Sequence, residues 1–190
     1  MSTSAPGSPA AREARFRAVY EATYDDLLRF AQRRVHPTHA EDVAADVFLV
    51  AWRRFDEMPQ RIDDARPWLF GVARATMLNH RRGERRRDAL AVRIADGTAR
   101  QLASAEDELA AYRLDLASAW ARLSATEQEV ISLAVWEGLD SAGAGVVLGC
   151  SATAYRLRLS RARRSLRRHA TSPTSSPAPT SATTTQGPLR

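Results

Sequence analysis

Between Ala10 and Ala170 the apolar residues recur three and four positions apart, and nowhere do they alternate with polar ones long enough to make a strand. That period puts them on one stripe of a helix, so the chain is confined to packing helices on helices. Phe16, Val19, Tyr20, Thr23, Leu27, Phe30 and Ala31 form the first stripe. His36-Pro37 ends it, because the residue before a proline is pushed out of the helical region. Thr38 and Glu41 have the spacing of a capping box, which predicts a second helix over 39–55 with Val43, Val47, Val50 and Ala51 inside. Residues 56–66 read as a loop. Asp64 is placed to cap a third helix, with Pro67 in its permissive first turn and an end near residue 82.

Periodicity weakens over 83–104, where Asp96-Gly97 marks a linker and residues 90–94 suit a short helix. The next stripe is Leu109, Tyr112, Leu116, Ala119, Trp120 and Leu123. Ser124 and Glu127 form a second capping box, opening a helix with Val130, Ile131, Ala134 and Val135 inside and Gly138 as its stop. A short segment over 141–148 and a turn at Gly149 lead to a last helix over 152–169, capped by Ser151. There Tyr155, Leu159, Ala162 and Leu166 make the inner stripe. The expected fold is therefore all-α: two small helical bundles, residues 10–87 and 106–170, joined by a flexible linker over 88–105. Residues 1–9 and a Pro/Ser/Thr-rich tail over 171–190 are too polar to offset chain entropy and are expected to be disordered.

The formal net charge of +6 suits a polyanionic partner. The charge is unevenly placed: the last acidic residue is Asp140, and every Lys/Arg-type cation in the chain is arginine. Two surfaces with different partners follow from that asymmetry. The rear surface is the sharper one. A short helix, a turn containing Gly149 and a longer arginine-rich helix have the form of a helix-turn-helix. If the start of that helix points at DNA, Thr153, Arg156, Leu157 and Ser160 lie near base edges. Arg158, Arg161, Arg163, Arg164, Arg167 and Arg168 then lie nearer phosphates. Seven arginines without a carboxylate repel one another, which favours a bound polyanion over a merely solvated face.

Four segments in the rear half carry a resemblance. They are Leu123-Ser124-Ala125-Thr126-Glu127-Gln128-Glu129-Val130-Ile131, Glu137-Gly138-Leu139, Val147-Leu148-Gly149-Cys150-Ser151 and Arg158-Leu159-Ser160-Arg161-Ala162-Arg163. This pattern resembles region 4 of the extracytoplasmic-function (ECF) sigma factors. The front half resembles region 2 of the same family, through residues 40–52, Arg66-Pro67-Trp68-Leu69-Phe70-Gly71-Val72-Ala73-Arg74 and Asn79-His80-Arg81-Arg82. The two halves stand in the family's order.

The resemblance implies a subunit that binds core RNA polymerase, through the β′ clamp and the β subunit, and directs it to promoter DNA. It implies that the helix-turn-helix reads the −35 element, with Arg156, Leu157 and Arg161 at the family's DNA-reading positions; Thr153, Ser160 and Arg164 join them as candidates from their place on the helix. For the −10 element it points to Arg61, Ile62 and Asp63 before the third helix and to Arg74, Asn79, Arg81 and Arg82 on it. For polymerase docking it points to Glu41, Asp42 and Asp46. An anti-sigma factor is a further implied partner. Where the family carries a Glu-Ile-Ala type triplet, this chain has Gly143-Ala144-Gly145. Each glycine costs about 1 kcal/mol against alanine in a helix, so a frayed first helix and an altered −35 preference are expected.

Catalysis has no support. His36, His39, His80 and His169 stand without a paired nucleophile, and Cys150 is the only cysteine, which excludes an intrachain disulfide and a thiolate zinc site. No cofactor or metal is expected. No stretch approaches the length of a membrane span and residues 1–10 lack a signal core, so the expected compartment is the cytoplasm. Two other readings stay open on residues alone: a helix-turn-helix regulator working without polymerase, and a sigma-like interaction protein whose glycine-rich unit no longer reads the −35 element.

Overall fold

The computed structural model describes residues 8–84 and 107–171. Among them every regular element is helical: α1 (Pro9–Gln32), α2 (Ala40–Arg53), α3 (Ile62–Glu84), α4 (Asp107–Ala121), α5 (Ala125–Val135), α6 (Ser141–Leu148) and α7 (Ala152–Thr171). Single 3₁₀ turns, Pro37–His39 and Phe55–Glu57, flank α2. The linker and the short helix expected at 90–94 lie outside the described residues.

The front three helices pack pairwise. Phe30 of α1 stacks on Phe70 of α3, with ring centroids 4.6 Å apart and planes 4° from parallel. Leu27, Val47, Leu69 and Met77 close the space around them. The α1–α3 seam is also tied at its rim: Arg66 Nε donates to Asp26 at 2.5 Å, and Arg29 donates to the other oxygen at 2.6 Å. Partial burial alone would raise the Asp26 pKa, but these two arginines outweigh it and hold the carboxyl below its ordinary value. Such a depressed carboxyl stabilises the fold above its unfolded pKa, and that share is lost as pH falls through the folded pKa. Urea midpoints measured from pH 7 downward are therefore expected to fall below about pH 4, and Asp26→Asn to flatten that acid limb. An acid limb identical in the variant would contradict this assignment.

In the rear half α4, α5 and α6 each lie against α7. The Ser124–Glu127 capping box forms as expected: the Ser124 hydroxyl accepts from Glu127 N, and the Glu127 carboxylate accepts from Ser124 N at 2.9 Å. Tyr155 is buried under α5, where its hydroxyl donates to the Val130 carbonyl at 2.9 Å. Gly138 takes the left-handed conformation at φ 61°, and Leu139 N closes the helix end on the Leu133 carbonyl.

Several local expectations are corrected. Thr38 does not cap α2. Proline at 37 drives a 3₁₀ turn in which His36 is the cap, and α2 starts at Ala40 without a side-chain cap. The third helix starts earlier than Asp64, because the Arg61 carbonyl already accepts from Ala65 N at 2.9 Å. Ile62 and Asp63 thus belong to the first turn of α3, not to the loop, and Pro67 sits inside the helix. At the front, α1 begins with Ser8 as cap and Pro9 as first residue; at the rear, α7 continues to Thr171. Leu116 and Val135, expected inside, are exposed, Val135 at 61%.

The two helical bundles are present as expected, and the structure adds how they meet. They do not stand apart: one hydrophobic cluster runs from Val19 and Phe30 through Leu69 to Leu133, Val147 and Ala162. The most extensive contact between them is α6 on α3. Gly71 of α3 faces the backbone of Val146 and Val147, where even a β-carbon would stand at an ordinary contact distance of 3.7 Å from the Val146 carbonyl oxygen.

Candidate promoter and polymerase interfaces

The recognition unit is built by α6, the turn Gly149–Ser151 and α7. The expected fraying of α6 does not occur. Asp140 caps it, accepting from Gly143 N at 2.7 Å, and Gly149 ends it at φ 63°. The two glycines serve packing instead. A β-carbon at Gly145 would stand 2.6 Å from the Cys150 carbonyl oxygen, so the tight turn into α7 needs a bare backbone there. A β-carbon at Gly143 would touch Pro67 of α3 at 3.4 Å. The glycine cost in helix propensity is offset by these close approaches.

On α7, Tyr155, Ala162 and Ser165 are buried, with Leu159 and Leu166 partly so. At 100° per residue, Thr153, Arg156, Leu157, Ser160, Arg161 and Arg164 fall on an arc of roughly 140° opposite that stripe. All six are exposed, Leu157 at 53%. Arg156 donates to the Thr153 hydroxyl at 3.0 Å, which holds its guanidinium near the start of the helix. Arg163 and Arg167 join Arg156 and Ser160 beside Ser141 at the start of α6, while Arg158 and Arg161 lie on the side toward α5. The helix therefore presents a row of small polar and apolar groups flanked by cations, the composition that suits base edges between two phosphate strands.

The front candidates divide. Arg61, Ile62 and Asp63 are exposed at the start of α3, and Arg61 pairs loosely with Asp63 at 3.4 Å. Asn79 is exposed and lines a cleft of about 460 Å³ between α3 and α6 with Trp68, Leu78 and Val146. Trp68 is half-buried, with the Arg54 guanidinium 5.6 Å from its ring. Arg81 and Arg82 lie on the last turns of α3. Arg74 is not open: its guanidinium makes a forked contact with Glu129 of α5, Nε to Oε1 at 2.9 Å and a terminal nitrogen to Oε2 at 3.2 Å.

On α2, Glu41 and Asp42 are exposed and Asp46 is half-buried, all on the side away from the core. Acids in the first turn also match the helix dipole. Sequence reasoning missed Leu49, which is 48% exposed on the same side, and gave Trp52 to packing although it is 38% exposed. Trp52 does meet Phe16 edge-on at 5.1 Å.

Sequence reasoning also missed a buried charge cluster between the bundles. Glu137 is only 2% exposed and accepts from Arg33 at 2.5 Å and from Arg34 at 2.9 Å. Arg34 is 1% exposed and donates further to the Phe30 carbonyl and the Ser132 hydroxyl. Burial lowers the Arg34 pKa, and the Glu137 carboxylate works against that lowering. The signal that could have exposed this cluster is spacing. Glu129, Leu133 and Glu137 are four apart, so two carboxylates share the buried stripe and require cations from elsewhere.

Among the described residues no group of His, Cys, Asp and Glu could hold a metal, and no helix is long and apolar enough to cross a membrane. Residues 19–87 match the Sigma-70 region 2 family and residues 113–166 match the Sigma-70, region 4 family. The chain is 34% identical over 162 residues to the ECF RNA polymerase sigma factor SigL of Mycobacterium tuberculosis, covering 85% of this chain and 92% of that protein. It is 34% identical over 140 residues to the RNA polymerase sigma factor CnrH of Cupriavidus metallidurans, covering 68% and 72%. The structure of CnrH in complex with the cytosolic domain of CnrY superposes with a TM-score of 0.55 at 28% identity, over 85% of this chain and 88% of that one. The sigma factor RpoE of Bartonella quintana, solved with the anti-sigma factor NepR, shares the fold at a TM-score of 0.54 and 23% identity, over 81% and 95%. With both regions matched in order and every described element helical, this protein belongs to the ECF sigma factors, the subunits that direct RNA polymerase to promoters.

Proposed function

We propose that the two ends of the work are divided between the bundles: residues 10–87 dock on polymerase and engage the −10 element, and residues 106–170 read the −35 element. The observation that carries this is the outer face of α7, where Thr153, Arg156, Leu157, Ser160, Arg161 and Arg164 are exposed together on a helix without a carboxylate. Phosphates flanking a major groove would neutralise the cations and release counterions, which gives salt-dependent affinity. Bases inside the groove would meet Arg156, Leu157 and Ser160.

At the front, Arg61, Ile62, Asp63, Asn79, Arg81 and Arg82 form the −10 surface, and Arg74 joins it when released from Glu129. Extruding a base costs a few kcal/mol, repaid by stacking and edge contacts; the half-buried ring of Trp68 beside the cleft suits that stacking. Glu41, Asp42 and Asp46, with Leu49 among them, form the face for the β′ clamp. Charges at such a rim orient docking, and an apolar neighbour adds affinity. The protein acts through binding alone, in the cytoplasm. An anti-sigma partner completes the reading, supported by the similar CnrH structure, which holds the cytosolic domain of CnrY.

Reconstitution with core polymerase tests the division. Arg156→Ala is expected to weaken binding to a −35 duplex by about 1–3 kcal/mol, roughly ten- to a hundredfold, with core association unchanged. Asp46→Ala is expected to weaken core association and leave duplex binding intact. Equal loss in both assays from either variant would overturn the division.

A further inference from the structure

Arg12 and Arg15 of α1 are three residues apart, so they leave one side of the helix together. That side meets the end of α2 and the segment leading into α3. Arg15 donates from one terminal nitrogen to two successive backbone carbonyls, Met58 at 3.1 Å and Pro59 at 2.7 Å. Its guanidinium carbon lies 4.9 Å from the centre of the Phe55 ring. Arg12 donates to the Trp52 carbonyl at 2.9 Å, in the last turn of α2, where carbonyls have no onward partner within the helix. Its guanidinium carbon stands 4.9 Å from both the Trp52 and the Phe55 rings.

Both side chains are half-buried, and the Nε atom of each is shut away from water without a partner. Losing hydration at a donor is costly, so the two side chains are held in place, and carbonyls and aromatic rings hold them. Between α2 and α3 the chain makes a single 3₁₀ turn, Phe55–Glu57, with Phe55 and Met58 buried beneath it. Pro59 has no N–H with which to anchor the chain itself. Gln60 alone separates Pro59 from Arg61, and Arg61, Ile62 and Asp63 are exposed. Arg15 thus ties the backbone to α1 immediately before those three residues.

We propose that Arg15, with Arg12 beside it, is a positioning residue for −10 recognition: by fixing the Met58 and Pro59 carbonyls on α1 it holds Arg61, Ile62 and Asp63 in one arrangement toward an unstacked base. Neither arginine touches DNA in this role. The proposal deepens the −10 assignment made above and rests on it. Base contacts carry sequence preference only when the groups that make them are held in place, whereas phosphate contacts need little more than charge. A segment that wanders among arrangements is competent for only a fraction of the time, and affinity for the preferred sequence falls by that fraction. Affinity for other sequences, carried by phosphates, stays nearly as it was. The mark of a positioning arginine is therefore lost discrimination with total DNA binding retained. Loss of a phosphate contact would instead lower every sequence alike.

Selection on the full chain bound to core polymerase tests it. A single-stranded DNA library randomised over its central positions is captured by polymerase carrying the parent or a variant, with core polymerase alone as background, and the recovered DNA is sequenced. The parent is expected to enrich one class of sequence. Joint substitution by Arg61→Ala, Ile62→Ala and Asp63→Ala is expected to remove that preference. Arg15→Met keeps an apolar stem against Phe55 and removes the donors. It should lower the enrichment of the preferred class on the order of tenfold, with total recovery within about twofold of the parent. Arg15→Lys keeps a donor and the charge, and should restore most of the enrichment. Arg17→Met removes an exposed α1 cation that is paired with Glu13, away from the carbonyls, and should match the parent.

Circular dichroism separates positioning from mere support of the fold. Arg15→Met should keep its helical signal at the temperature of selection, and Arg15→Gln serves if it does not. Loss of the fold in both would make the arginine a prop of the bundle and overturn the positioning role. A folded methionine variant with the parent's enrichment would also overturn it, as would a lysine variant no better than methionine, or an equal loss across all sequences. In those cases the −10 assignment stands, because the triple alanine variant has still lost the preference. A parent without any preference, or a triple alanine variant that keeps it, would overturn the −10 assignment and the positioning role together.

Discussion

Gly145→Ala is expected to abolish −35 duplex binding, although the residue touches no DNA candidate. The new β-carbon would stand 2.6 Å from the Cys150 carbonyl oxygen, and that atom is backbone, so the turn itself must move. Overpacking of this kind costs about 1–3 kcal/mol, occasionally more. The displaced turn re-aims α7, and with it the whole row from Thr153 to Arg164. Gly143→Ala is the control on the same helix. Its β-carbon meets Pro67 at 3.4 Å and the flexible Asp140 side chain at 3.3 Å, and alanine regains up to about 1 kcal/mol of helix propensity. That variant should keep duplex binding within about twofold of the parent, a change below roughly 0.5 kcal/mol. Electrophoretic mobility shifts with the two purified variants decide the point. Equal behaviour of the pair would refute the turn as the reason for glycine at 145.

Phe30→Ala is expected to destabilise the chain by about 3–5 kcal/mol. Phe30 is fully buried, stacks on Phe70, and lies 3.6 Å beneath the Arg34 guanidinium. Removing the ring opens a cavity and also takes away the surface on which the buried arginine rests, so the neighbours cannot simply collapse inward. The melting temperature should fall on the order of 10 °C or more. Phe16, only partly buried at the edge of α1, gives the comparison: Phe16→Ala should cost clearly less. Calorimetry on both variants checks the order, and a larger loss from Phe16 would show that the centre of the fold lies elsewhere.

Helices were the most legible part of the chain because their signals are local. The Ser124–Glu127 box, the stop at Gly138 and the stripe Tyr155–Ala162 each lie within a few turns, and each forms as the spacing predicts. Local reading failed where a neighbour competed. Pro37 turned the Thr38 signal into a 3₁₀ turn, and the free Arg61 carbonyl recruited Ile62 and Asp63 into α3. Val135 and Leu116 look like core by period alone, yet nothing packs over them closely enough to bury them. The glycines of α6 read as a weakness in sequence, since propensity counts only what a residue does to its own helix. At Gly145 the reason lies in the Cys150 carbonyl, which leaves no room for a β-carbon.

The sequence by itself determined the helical class, the order of the two regions, the helix-turn-helix and the exposed arginine face of α7. The order of the regions follows from the family resemblance of the two halves; the rest follows from period, caps and the absence of acid after Asp140, which the chain carries wherever it folds. Only the tertiary structure decided that the bundles close on each other and that Arg74 is spent on Glu129 instead of facing outward. The physical reason is that a glutamate four residues from a buried leucine is written identically whether water or an arginine a hundred residues away satisfies it. Burial makes that choice, and burial is a property of the packed chain.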